Sequence, residues 1–271
     1  MIRVFPKKTQ WTPTDELAFI GCPPLFRPEN QPVRISVCFL ADRAKGEWLK
    51  KQWAAYYDDV EIGGPAYGDP GKEFVAGRFI KEGVTFTSRG CPKKCTSCFV
   101  PEREGKLREL PIISGHIVQD NNLLACSKVH ILAVAEMLKR QKEPANFAGG
   151  LDVDFLEDWH VEMFLSLKVH ALWFACDTKG AIKKLQDVAP RLAIFPAWKK
   201  RCYCMIGKDE TIGEARERLE TVLKMGFSPF AQLYQGPVKV NYSHAWRKMA
   251  REWQRIPRSE KKVLDIQPEG V

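Results

Sequence analysis

The sequence predicts an α/β fold built on parallel βα units, preceded by a small α/β appendage. Two observations carry this prediction. From residue 82 onward, short apolar runs of strand length alternate with amphipathic stretches of helical period, the pattern of parallel strands joined by crossover helices. Ahead of them a single strand–helix–strand pattern spans 33–62. The 271 residues suffice for one large domain or one plus a small appendage. The expected division is 1–81 for the N-terminal segment and appendage, 82–241 for the main α/β unit, and 242–271 for a C-terminal helix and tail.

Each element follows from its local pattern. Residues 1–32 carry Pro6, Pro13, Pro23, Pro24, Pro28 and Pro32 and read as irregular. A buried strand is expected over 33–40. A helix is expected over 43–57, where Trp48, Leu49, Trp53 and Tyr56 fall at helical spacing, and a short strand over 60–62 ends at Gly63-Gly64-Pro65. The Gly-rich stretch 66–79 reads as a loop with one short element. Further strands are expected at 84–88, 117–124, 146–150, 171–176, 201–206 and 229–234, with helices at 128–141, 155–167, 179–188, 212–225 and 243–254. No internal repeat and no low-complexity segment interrupts the alternation.

Composition bounds the partners. Forty-two Lys and Arg against 33 Asp and Glu leave a net charge of +9, which favours an anionic partner such as a nucleotide or nucleic acid. A basic but solvated surface accounts for the same numbers equally well. No apolar run approaches the roughly 18–20 residues of a membrane span. The stretch 1–8 is basic but lacks the apolar core of a signal peptide, so no leader and a cytoplasmic location are expected. Nine cysteines, an odd number, argue against a disulfide framework and for a reducing compartment.

The most informative segment is Thr-Ser-Arg-Gly-Cys-Pro-Lys-Lys-Cys-Thr-Ser-Cys-Phe over 87–99. Cys91, Cys95 and Cys98 are spaced C-x3-C-x2-C, with no fourth cysteine close behind. A [4Fe–4S] cluster that only carries electrons normally takes four thiolates, so three leave one iron open. The loop, including the aromatic Phe99, resembles the cluster-binding signature of the radical S-adenosylmethionine (radical SAM) superfamily. The resemblance implies a partial (β/α)6 TIM-like barrel with ligands at the carboxyl ends of its strands. It also implies that the open iron chelates S-adenosylmethionine, that reductive cleavage yields a deoxyadenosyl radical, and that a flavodoxin- or ferredoxin-like electron donor supplies the electron. It covers 82–235 by topology and is tight only at 87–99; no motif names the reaction subclass or substrate. Two rivals stand beside it: a zinc-stabilised nucleic-acid-binding protein, drawing a fourth ligand from His116 or Cys126, and a non-catalytic iron–sulfur carrier.

The resemblance also nominates the cofactor contacts. Phe99 flanks the third thiolate. The segment Gln119-Asp120-Asn121-Asn122 stands where the family has a Gly-Gly-Glu-like motif, so Asp120 or Asn122 is expected to accept from the ammonium of S-adenosylmethionine; a turn-forming role is the alternative. Gly150 and Asp152, in Gly149-Gly150-Leu151-Asp152-Val153-Asp154, are expected at the barrel mouth, with helix capping the alternative for the aspartates. Asp177 is expected on the ribose, again with capping as alternative, and Gly207 beside the adenine. Thr211 and Glu214 spell a capping box. Cys202 and Cys204 share one strand face and are expected chiefly as small core residues. The strand–helix–strand appendage resembles a cut-down cobalamin-binding domain. Its Asp-x-His-x-x-Gly pattern is missing, however, so cobalamin is disfavoured. In the C-terminal helix, Trp246, Met249, Ala250 and Trp253 form an apolar stripe opposite Arg247, Lys248, Arg251 and Arg255. The stripe is expected to close the open side of the partial barrel with a solvated basic face, nucleic-acid contact being the alternative.

Overall fold

The computed structural model describes residues 1–68, 74–236 and 240–254. Two parallel sheets organise the chain. The N-terminal sheet contains β1 (Ile2–Phe5), β2 (Ala18–Ile20), β3 (Val33–Ser36) and β4 (Val60–Gly63), in the order β2-β1-β3-β4. Helix α1 (Arg43–Ala54) crosses between β3 and β4 and buries Leu49 and Trp53 against Ile2, Val4, Val33 and Ile35. The expectation that 1–32 is irregular is corrected here, because β1 lies inside the sheet and all four of its residues are buried. The prolines sit in the connections, where no ladder hydrogen bond is lost, and a four-residue strand is too short to display a period. The Pro-rich connection is held by buried aromatics: Trp53 Nε1 donates to the Gly21 carbonyl and Tyr57 Oη to that of Pro28, both at 2.9 Å.

The second sheet has six parallel strands. They are β5 (Val84–Thr85), β8 (Ile117–Val118), β9 (Ala145–Leu151), β10 (Val169–Ala175), β11 (Lys200–Ile206) and β12 (Ser228–Leu233). They lie in strict chain order. Between β5 and β8 the chain forms a separate antiparallel pair, β6 (Ser88–Arg89) and β7 (Arg108–Glu109), enclosing the cysteine loop and the short α2 (Val100–Arg103). The longer strands are linked by α3 (Lys128–Lys139), α4 (Asp158–Leu165), α5 (Lys179–Val188) and α6 (Ile212–Lys224), and α7 (His244–Gln254) follows β12. Crossovers of one hand between parallel strands in chain order put the helices on one face. In keeping with this, Leu172, Phe174, Cys202, Cys204 and Ala231 form one core with Leu185, Leu219 and Met249.

Two expected strands are shorter than the sequence suggested. The run 84–88 pairs in the main sheet only at Val84–Thr85, since the chain then leaves it for the antiparallel pair. The run 117–124 ends at Val118, because Asp120 and Asn122 turn inward to bind the cysteine loop and a single 3-10 turn follows at Leu123–Ala125. In α7, Met249 and Ala250 are buried and Trp246 and Trp253 pack against the helix-side core, while Arg247, Lys248 and Arg251 are exposed. Arg255 lies outside the described residues. Among the described residues no helix is long and apolar enough to cross a membrane.

Candidate metal centre

The cysteine loop leaves the carboxyl end of β5 and is stitched to the turn after the neighbouring β8. Asp120 accepts from the Thr87 amide at 2.6 Å and from the Thr87 hydroxyl through its other oxygen. Asn121 Oδ1 accepts from the Gly90 amide at 2.9 Å, and Asn122 Nδ2 donates to Cys91 Sγ at 3.7 Å. Three consecutive side chains thus hold the entry of the loop. Gly90 has φ of +81°, and a Cβ there would lie 2.2 Å from the Lys106 carbonyl oxygen, so only glycine permits this crossing. The sheet approaches equally closely at Gly149, where a Cβ would meet the Asp120 carbonyl oxygen at 2.0 Å.

Two more strand ends reach the loop. Lys93 Nζ binds Asp152 and Asp154, after β9, at 2.7 and 2.8 Å. Lys208 Nζ, after β11, donates to Ser97 Oγ at 2.7 Å. Cys91 is half-buried, whereas Cys95 and Cys98 are exposed. Burial of its surroundings pushes the Cys98 thiol above its ordinary range, and the neighbouring Cys95 and Cys91 push in the same direction. The three thiols are therefore electrostatic neighbours. Phe99 is half-buried and precedes the first turn of α2.

The structure separates the nominated cofactor contacts. Asp120, expected to accept from an ammonium, is only 1 % exposed, and both its oxygens accept from Thr87. Burial nonetheless raises its carboxyl above the usual range. Gly207, expected beside an adenine, is engaged within the chain: its amide donates to Glu210, its carbonyl accepts from Tyr242 Oη, and a Cβ there would lie 2.6 Å from the Tyr242 ring. Gly150 differs, because its backbone faces open space and its φ is +121°. Asp152 caps the 3-10 turn Val153–Phe155 while its other oxygen holds Lys93. Asp177 is exposed and does not cap α5; Thr178 does. Its Oδ1 accepts from the Met205 amide at 2.7 Å, and the protein crowded around it raises its carboxyl despite that bond and the nearby Arg218.

One feature of the site is absent from the sequence reading. On the face opposite the helices, Trp173 stacks on Tyr203 at 4.3 Å and Phe230 packs edge-on to both. Nearer the carboxyl ends on the same strand faces stand Ala175, Met205 and Gln232. The signal was there: once Cys202 and Cys204 are placed in the helix-side core, alternation puts Tyr203 and Met205 on the other face.

Among the described residues, no group of three or more His, Cys, Asp or Glu side chains converges as metal ligands. His116 lies before β8, at the opposite end of the sheet from the cysteine loop. Cys126 is buried and its thiol is pushed up to about 11, mainly by burial. The donor set therefore consists of three thiols on one loop anchored to three strand ends. Fold and site together define an α/β protein of parallel sheets with a three-thiol loop at the carboxyl edge of the larger one. No protein-family model and no curated protein sequence matches the chain.

Proposed function

We propose that this chain is a radical SAM enzyme, with Cys91, Cys95 and Cys98 as the ligands of a [4Fe–4S] cluster and the six-stranded sheet as a partial (β/α)6 barrel. The observation that carries the reading is the C-x3-C-x2-C loop at the carboxyl end of the first strand of a chain-order parallel sheet, the end at which such folds bind ligands. The donor set suits the group: three thiols share one loop, and Cys91 Sγ already accepts an amide N–H of the kind that tunes cluster sulfurs.

When bound, such a cluster supplies reductive cleavage of S-adenosylmethionine to a deoxyadenosyl radical, fed by a flavodoxin- or ferredoxin-like donor. The chain's own residues supply position. Asp120, Asn121 and Asn122 fix the entry of the loop, and Lys93 and Lys208 fix its middle. Gly150, with open space before it, Asp152 and Asp177 remain the candidate contacts for S-adenosylmethionine. The stacked Trp173, Tyr203 and Phe230 form an apolar floor that keeps water from below the reacting groups.

Anaerobic reconstitution with iron and sulfide tests the reading. It should give a brown protein with about four irons per chain, a spectrum that shifts on adding S-adenosylmethionine, and deoxyadenosine formation with dithionite. Cys95→Ala should abolish all three. A Cys95→Ala protein that still cleaves S-adenosylmethionine, or a native chain that binds one zinc and stays colourless, overturns it.

A further inference from the structure

A cavity of about 500 Å³ lies between the carboxyl ends of β3 and β4 and the segment leading into the cysteine loop. That volume is in the range of small-molecule sites, roughly 300–1,000 Å³. Its walls are apolar on both sides: Ile35 and Ile62 come from the N-terminal sheet, and Phe74, Phe79, Ile80 and Phe86 face them. Phe74 and Phe86 meet edge-on at 4.9 Å, and Phe79 remains 38 % exposed. Such a slot suits a flat ring.

The polar side chains around the slot are Arg34, Ser36, Cys38, Glu61, Arg78 and Arg89. Three arginines line it. Arg34 is held by Asp59 and Glu61, and Arg89 by Glu104, whereas Arg78 has no ion-pair partner among the described residues. Ser36 lines the cavity while only 8 % exposed, and its hydroxyl makes no hydrogen bond among the described residues. A hydroxyl lining the cavity can donate to or accept from a polar atom of a ligand. The room itself comes from Gly63, where a Cβ would meet nothing within 4 Å.

We propose that this cavity binds a small molecule consisting of a flat apolar ring with one anionic group, the ring between the two apolar walls, the anion on Arg78 and a polar ring substituent on Ser36 Oγ. Phe86 and Arg89 belong to both the cavity wall and the approach to Cys91. Assigning the ligand as the substrate of the cysteine site rests on the radical SAM reading; the binding itself does not.

Two fluorescent probes that differ only in a sulfonate, anilinonaphthalene sulfonate and phenylnaphthylamine, test this on the full chain. The native protein should bind the sulfonate at least about tenfold more tightly than the neutral probe, a difference of about 1.4 kcal/mol. Gly63→Val, which fills the cavity at an unstrained strand position, should weaken both probes at least about tenfold. Arg78→Gln, a change at an exposed side chain, should bring the two affinities together. Equal affinity of the native chain for both probes overturns the anion contact. Undiminished binding by Gly63→Val overturns the cavity as the site. Iron content and deoxyadenosine formation, measured on the same preparations, report on the radical SAM reading separately, so either proposal can fail while the other stands.

Discussion

Both oxygens of Asp120 are taken by Thr87, and the carboxyl is buried. An ionised carboxylate offers only acceptors, so it matches two donors from one residue; an amide would turn one of them against an N–H. Asp120→Asn should therefore cost about 1–3 kcal/mol, the range for a buried polar group left unsatisfied. The measurement is the urea midpoint against the native chain, and an unchanged midpoint would show that the clamp contributes nothing. Legibility at this scale was partial. The type and place of Asp120, Asn122 and Asp177 were visible as polar residues after strands, and the cysteine spacing needed no structure. What the sequence could not reveal was which donors take each oxygen. The Thr87 and Tyr242 groups that engage Asp120 and Gly207 lie 33 and 35 residues away along the chain, beyond any local pattern.

Elements were readable in proportion to their length. Strands β9, β10 and β11 have seven residues each, enough for alternation to appear. Strands β5 and β8 have two residues each, and β1 four, too few for any period. The capping box of α6 was legible: Thr211 accepts from the Glu214 amide and Glu214 from the Thr211 amide. Glu214 also pairs with Lys179, and the Lys179 ammonium first, then the Thr211 donors, depress its carboxyl to about 2. A depressed acid stabilises the fold above its ordinary value of 4.5, and that contribution disappears as pH falls toward about 2. Glu214→Gln should therefore lower stability at neutral pH and flatten its dependence between about pH 4.5 and 2, read from paired urea titrations. Parallel curves for the two proteins across that window would refute the role.

For the whole molecule, α7 settles how the last strand is covered. Trp246 and Trp253 pack on the helix-side core, and Gln254 Nε2 donates to the Ala231 carbonyl at 2.9 Å. Fully buried Trp→Ala changes cost about 3–5 kcal/mol; Trp253 is half-buried, so Trp253→Ala should cost about 2 kcal/mol and lower the melting temperature accordingly. The opposite face of α7 is outward and basic. Replacing Arg247, Lys248 and Arg251 together by Gln should leave stability within about 0.5 kcal/mol. If that face follows phosphates, the same variant should flatten the salt slope of oligonucleotide binding by about 2 to 3. An unchanged slope would take nucleic acid off this face. The chain-order sheet was legible because consecutive βα units leave little topological choice. Alternation places Tyr203 on the face opposite the helices, but the stacking of Trp173, Tyr203 and Phe230 there depends on the register of three neighbouring strands, which the sequence does not display.

The stitching of the cysteine loop carries a consequence for the life of the empty protein. In zinc fingers the metal is the folding energy, and its removal leaves a random chain. Here the ordering entropy of the loop entry is met by amide and hydroxyl partners within the chain itself, so the entry is shaped without any metal ligand. If the loop holds the proposed iron–sulfur cluster, oxidative loss of that metal should leave the loop entry in place. Hydrogen exchange gives the measurement: the Thr87 and Gly90 amides should be as well protected in metal-free protein as in loaded protein, while amides between Lys93 and Ser97 slow only on loading.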